Sequence, residues 1–169
     1  MKKLSIIMPA YNCEKTIKKS INSVLTQNFD DFELIIINDG SSDNTAKILK
    51  AIKDTRLIIV NQKNQGPSAA RNNGISIAQG KYIMFIDADD LYKNDAIKIM
   101  YEYIEKLNVD IVTAAYQSFN DNKKYSPVKI NTINSFSKKE DYIYYLQSKG
   151  ILNSNWNKIY KSNEYAVQR

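Results

Sequence analysis

The first two-thirds of the chain alternates short, solidly apolar runs with longer stretches in which apolar residues recur every three or four positions. Runs of four to eight residues rich in β-branched side chains predict buried strands, and the helical recurrence predicts helices that cover them. Residues 4–8 predict the first strand, which stops at Pro9 because proline has no amide for a ladder. Asn12 is then placed to cap a helix whose stripe is Ile17, Ile21, Val24 and Leu25. Residues 32–37 predict a second strand buried on both faces. The turn Asn38-Asp39-Gly40-Ser41-Ser42-Asp43-Asn44 follows, with side chains able to cap a helix that turns Ile48, Leu49 and Ile52 inward.

Residues 57–60 predict a third strand, followed by a polar loop over 61–66. Pro67 suits the first position of a helix running roughly over 68–79, whose small residues Ala69, Ala70, Gly74 and Ala78 permit close approach to a sheet. Gly80 stops it, and residues 82–86 predict a fourth strand. Ala96, Met100, Tyr103, Ile104 and Leu107 form a further helical stripe, and 110–116 predict a fifth strand. Strands alternating with helices at short spacing imply an α/β fold with a mostly parallel sheet flanked by helices. Beyond 116 the pattern weakens. Residues 119–127 read as a polar loop, 128–133 as a short strand, and Ser137-Lys138-Lys139-Glu140 as a capping box for a helix ending near Gly150. The apolar and aromatic residues over 156–160, Trp156 among them, require a surface to pack against.

At 169 residues the chain has the length of one ordinary domain, and it carries no apolar run near the roughly 18 to 20 residues of a membrane span. The single cysteine, Cys13, excludes an internal disulfide and agrees with a reducing cytoplasm. The absence of histidine excludes Ser-His-Asp and Cys-His chemistry and all imidazole metal sites, leaving carboxylates, lysines and backbone groups. The net charge of +6 is uneven: residues 117–169 hold 9 of the 24 basic and 4 of the 18 acidic side chains. These lysines, scattered among Tyr142, Tyr144, Tyr145 and Trp156, read first as a solvated surface. Nucleic acid, anionic lipid headgroups or a polyanionic acceptor are the functional alternatives.

The chemistry concentrates at strand ends. The fourth strand stops at Asp87, Asp89 and Asp90, three carboxylates whose repulsion a divalent cation would relieve; solvated loop acids, with Asp89 or Asp90 capping the next helix, are the plain alternative. Mg²⁺ or Mn²⁺ suits such a site, because each accepts oxygen ligands and completes its shell with water and phosphate. The predicted topology brings this end to the same sheet edge as Pro9-Ala10-Tyr11-Asn12 and Asn38-Asp39-Gly40, the edge where open α/β sheets bind ligands. There Asp39 can accept an imide N–H of a pyrimidine, Tyr11 can pack on the base, and Arg71 can approach a ribose or phosphate. Neither a Walker loop nor a Gly-x-Gly-x-x-Gly turn competes for phosphate.

The segments SIIMPAYN, NDGSSDNT, GPSAARNNGI and FIDADD, in this order, resemble the family 2 glycosyltransferases, inverting enzymes of the GT-A fold that use nucleotide-diphosphate sugars. The likeness covers residues 3–116, and SNWNKIYK is similar to a WNKLY-type segment of bacterial members. It implies that Pro9, Ala10, Tyr11 and Asp39 contact the nucleoside, that Arg71 lies beside it, that Asp87 reaches the ribose, and that Asp89 holds Mn²⁺ or Mg²⁺ on the diphosphate. Residues 1–116 are then a donor-binding region for a UDP-sugar, and 117–169 a partial, apparently truncated acceptor-side region. The implied acceptor is a glycan or lipid-linked molecule of surface polysaccharide assembly, not nucleic acid. The expected location is the cytoplasm, with the inner membrane face as a peripheral contact.

Relatives draw a general base from an acidic Glu-Asp segment beyond the WNKLY-like stretch. Asp121, Glu140, Asp141 and Glu164 do not stand in such a context, so the catalytic base is unassigned. A catalytically incomplete nucleotide-binding module is therefore one alternative. A sugar nucleotidyltransferase is another, but it calls for a glycine-rich basic loop where Pro9-Ala10-Tyr11-Asn12 stands. A haloacid-dehalogenase-type phosphatase would place its Asp-x-Asp at the start of the domain.

Overall fold

A computed structural model describes residues 2–114, 119–120, 123–124 and 157–162. Its elements are β1 (Leu4–Ala10), α1 (Ile17–Leu25), β2 (Phe32–Asp39), α2 (Thr45–Ala51), β3 (Leu57–Gln62), α3 (Pro67–Ile77), β4 (Tyr82–Phe85), α4 (Ala96–Leu107), β5 (Ile111–Thr113), β6 (Phe119–Asn120), β7 (Lys123–Lys124) and β8 (Lys158–Lys161). The expected strand over 128–133, the capping box at 137–140 with its helix, and Trp156 lie outside the described residues.

Six strands form one sheet in the order β3-β2-β1-β4-β8-β5. β1, β2, β3 and β4 run parallel, and β8 enters antiparallel between β4 and β5. Chain order reverses between β1 and β4, which places the topological switch point at the carboxyl ends of those two strands. All eight residues of β2 are buried, as a strand covered on both faces requires. Alternate β1 and β2 side chains divide between two cores. Leu4, Ile6, Met8, Leu34 and Ile36 pack with Ile17, Ile21 and Val24 of α1, Leu49 of α2, and Ile97, Met100 and Ile104 of α4. On the opposite face Ile7, Ile35 and Ile37 pack with Ala70 of α3, Phe85 and Tyr160. Each fully buried Leu or Ile contributes about 1.5 to 3 kcal/mol of transfer free energy.

α3 approaches β1 as its small residues predict: a Cβ on Gly74 would lie 2.5 Å from Ile7 Cγ2. Gly80 has a similar role just before β4, where a Cβ would fall 2.4 Å from the Ser5 amide nitrogen. Beneath that crossing the Ser5 hydroxyl donates to the buried Glu33 carboxylate and accepts from the Gly80 N–H, while Gln79 N–H also donates to Glu33. This holds an otherwise unmatched charge inside β2.

Four expectations change. Tyr103 and Leu107 of α4 are about half exposed, and Ile97 takes the inward position, because Ile97, Met100 and Ile104 share one face of a 3.6-residue helix. β3 continues through Asn61 and Gln62, residues expected in a loop, because they pair with Asn38 and Asp39 of β2. Part of the loop expected over 119–127 is the two-residue ladder β6–β7. Residues 157–160, the described part of the segment expected to pack on a surface, lie inside the sheet, where Ile159 and Tyr160 enter the two cores. Lys158, counted above with a solvated basic surface, is consequently buried, and burial lowers its ammonium to about 8. No helix among the described residues is long and apolar enough to cross a membrane.

Candidate functional site

The carboxyl ends of β1, β2 and β4 enclose a cavity of about 930 Å³. Pro9, Ala10, Tyr11, Asp39, Arg71, Asp87 and Asp89 all line it. The seven residues singled out from the sequence therefore come together in one place. Asp90, the third acid, is not among the lining residues.

The β1 end is shaped by Asn12. It does not cap α1, which starts five residues later with Ile17 N–H donating to the Cys13 carbonyl. Asn12 instead adopts a left-handed backbone, φ 48°, and its Oδ1 accepts from the Ser42 N–H at 2.8 Å. Asparagine tolerates that conformation better than most side chains. Glu14 and Asp43 complete the tie: Glu14 N–H donates to Asp43, and Asn44 N–H donates to Glu14. The two loops are thus sewn together, and Tyr11 stands at the cavity edge with 53% of its surface exposed. Cys13 lies half-buried beside Thr45, and burial pushes its thiol up, away from nucleophilic use.

The β2 end presents Asp39, which is 3% exposed. Its Oδ1 accepts from Gln62 Nε2 at 2.8 Å and from the Gln65 N–H at 2.9 Å, and its Oδ2 accepts from the Gly66 N–H at 2.9 Å. A carboxylate offers about four acceptor positions. Three are filled by protein donors, and the residue still lines the cavity. Gly66 has φ 87°, which lets the loop turn its amide onto Asp39 and lead into Pro67 at the start of α3.

The β4 end carries the acids. Arg71, from α3, donates through Nη2 to Asp87 Oδ1 at 2.5 Å, an ion pair with one-fifth to one-third of each side chain exposed. Among the described residues Arg71 Nε is buried with no hydrogen-bond partner. Asp89 is exposed on a turn, and Asp90 N–H closes that turn on the Asp87 carbonyl. Neither acid caps α4, which begins at Ala96 after the left-handed Asp95. Burial, then the charges of Asp89 and Asp87, push the Asp90 carboxyl up to about 6. The turn is held from below, where the Ser20 hydroxyl donates to the Ala88 carbonyl and the Tyr92 hydroxyl to the Phe85 carbonyl.

Among the described residues no group of three acidic or sulfur ligands converges on one point. A site of one or two carboxylates nevertheless fits Mg²⁺ or Mn²⁺, which retain waters and take up ligand phosphates. The sequence reading missed Gln62, Gln65 and Gly66 around Asp39, and Lys15 on the cavity wall. Carrying β3 two residues further, in register with β2, would have exposed Gln62.

A mostly parallel sheet with this crevice at its switch point is the architecture of a GT-A glycosyltransferase domain. The chain belongs to glycosyl transferase family 2, whose family model matches residues 5–165. It is similar to the glycosyltransferase GlyA of Streptococcus pneumoniae, 36% identical over 123 residues that make up 72% of this chain and 18% of GlyA. It is also similar to the UDP-Glc:alpha-D-GlcNAc-diphosphoundecaprenol beta-1,3-glucosyltransferase WfgD of Escherichia coli, 36% identical over 132 residues, 75% of this chain and 52% of WfgD. In three dimensions it resembles S. aureus TarS 1-349 with a TM-score of 0.76 and 25% identity, over 98% of this chain and 49% of that one. The chain thus spans about half, or less, of the length of these relatives.

Proposed function

We propose that this glycosyltransferase chain binds a nucleotide-diphosphate sugar, with UDP as its nucleotide, in the cavity bounded by Asp39 and Asp89. The observation that carries this reading is the union of two unlike poles in one cavity: a pinned acceptor, Asp39, and an exposed acid, Asp89, beside the Arg71–Asp87 pair. In this reading Asp39 accepts a ring N–H of uracil, Tyr11 packs on the base against Pro9 and Ala10, and Asp87, held by Arg71, receives the ribose. Asp89 holds Mn²⁺ or Mg²⁺, which when bound supplies positive charge for a leaving diphosphate. Residues 1–116 form the donor region, joined by β8, and the remainder of 117–169 belongs to the acceptor side.

The transfer is inverting, and the acceptor is a glycan or lipid-linked molecule of surface polysaccharide assembly. WfgD supports the UDP-sugar and the lipid-linked acceptor, since its name specifies both for that protein. A chain working on such an acceptor operates on the cytoplasmic side, at the membrane surface.

Binding is tested by thermal unfolding with UDP and Mn²⁺. Ligand at 100 times its dissociation constant adds about 2.7 kcal/mol, which raises the midpoint by several degrees. An unchanged midpoint at millimolar UDP and Mn²⁺, or an undiminished rise in the double variant Asp39→Ala with Asp89→Ala, overturns the reading.

A further inference from the structure

The Asp39 carboxylate is the end of a side-chain relay that begins outside the cavity. Asn73, on the second turn of α3, donates through Nδ2 to Gln62 Oε1 at 2.7 Å, and Gln62 donates through Nε2 to Asp39 Oδ1 at 2.8 Å. Neither Gln62 nor Asn73 lines the cavity. The direction of the relay follows from chemistry. An ionised carboxylate only accepts, so Gln62 must turn its amide nitrogen toward Asp39, and its oxygen then faces Asn73 and needs a donor there. Reversing either amide would set oxygen against oxygen. β2–β3 pairing supports the same arrangement, since Gln62 stands in register with Asp39.

Together with the backbone N–H groups of Gln65 and Gly66, this relay leaves Asp39 one acceptor position, on Oδ2. A carboxylate that can neither rotate nor offer a proton distinguishes nucleobases by polarity. It accepts the ring N–H of uracil at N3 and repels the lone pair that cytosine carries at the same place. We propose that Gln62 and Asn73 are positioning residues for nucleobase selection, acting through Asp39. This rests on the placement of the nucleobase at Asp39 argued above.

The test compares UDP with CDP, two probes that share ribose and diphosphate and differ at the base. Dissociation constants are measured by calorimetry, with Mn²⁺, for the wild-type chain and for Gln62→Met and Asn73→Asp. Methionine keeps the length of Gln62 and removes its amide; aspartate keeps the shape of Asn73 and cannot donate to Gln62. The wild type is expected to prefer UDP by about tenfold or more, the scale of one buried polar mismatch. Both variants are expected to bind UDP more weakly while CDP binding changes little, shrinking the preference several-fold, with the larger effect in Gln62→Met. Asn73→Gln, which retains a donor, should recover part of the preference.

A merely structural role would weaken both nucleotides alike and leave the ratio unchanged. That result, with the wild type discriminating normally, overturns the relay and leaves the binding reading intact. If the wild-type chain binds no UDP, or binds UDP and CDP equally, the placement of the base at Asp39 falls and the relay with it. Should Asn73→Asp fail to fold, the Gln62→Met ratio decides alone.

Discussion

The two walls of the cavity carry acids of opposite character. On the β2–β3 side Asp39 is buried, and its charge is met by two backbone amides and the Gln62 amide. On the β4 side Asp87 and Asp89 line the cavity with one guanidinium, which pairs with Asp87 only, and their charges help to raise Asp90, which follows them on the same turn outside the lining. The first wall is complete within the protein, whereas the second is short of positive charge. A site prepared for a neutral base can be finished by backbone geometry, because it needs direction rather than charge. On the proposed reading, the diphosphate side is left open because the compensating cation arrives with the ligand.

The contrast is broken most severely at Asp39. Asp39→Leu removes the acceptor of three part-buried donors, Gln62 Nε2 and the N–H groups of Gln65 and Gly66, and an unsatisfied buried polar group costs about 1 to 3 kcal/mol. The variant is expected to lose about 3 kcal/mol or more of unfolding free energy in urea without any ligand, together with its UDP response. A ligand-free loss below about 0.5 kcal/mol would show the first wall to be as loosely held as the second.

Asp89→Ala should act in the reverse manner. Asp89 is exposed on its turn, so ligand-free stability should stay within about 0.5 kcal/mol of wild type. The Mn²⁺-dependent part of UDP binding should disappear, which is read from UDP titrations with and without the metal. Retention of the full metal effect would separate Asp89 from the cation.

The smallest expected effect concerns Asp90. Its carboxyl stands at about 6 in the folded chain against an ordinary value of 3.8. A folded-state value raised above the unfolded one means that the native chain holds a proton the unfolded chain releases. Stability from this group is therefore full below about pH 4 and is lost as pH rises to 6. In the metal-free protein, urea unfolding across that window should fall less steeply in Asp90→Asn than in wild type. Parallel slopes in the two proteins would separate Asp90 from the charges of Asp87 and Asp89.

Much of this contrast was legible in the sequence, but unevenly. The apolar runs ending at Pro9, Asp39 and Asp87 mark three strand ends, because a fully buried strand tolerates little else and a polar stop is a local signal. Small residues in α3 announced close packing, and Gly74 against Ile7 bears it out. Asn12 was misread as a cap because its side chain finds amides 30 residues away, at Ser42, rather than in the next turn of its own helix. Gln62 and Asn73 looked like ordinary polar residues of a loop and a helix, since nothing local distinguishes a relay from a solvated surface.

The sequence by itself determined the alternation of strands and helices, the switch-point edge, and the residue types that line it, because burial and capping are written in periodicity and in neighbours a few positions apart. Only the tertiary structure decided that β8 enters the sheet antiparallel between β4 and β5, that Arg71 is spent on Asp87, and that Asp39 is aimed by Gln62 and Asn73. Those contacts join residues 11 to more than 70 positions apart. They exist only once strand register has brought them within hydrogen-bond reach, and register is a property of the assembled sheet rather than of any single run.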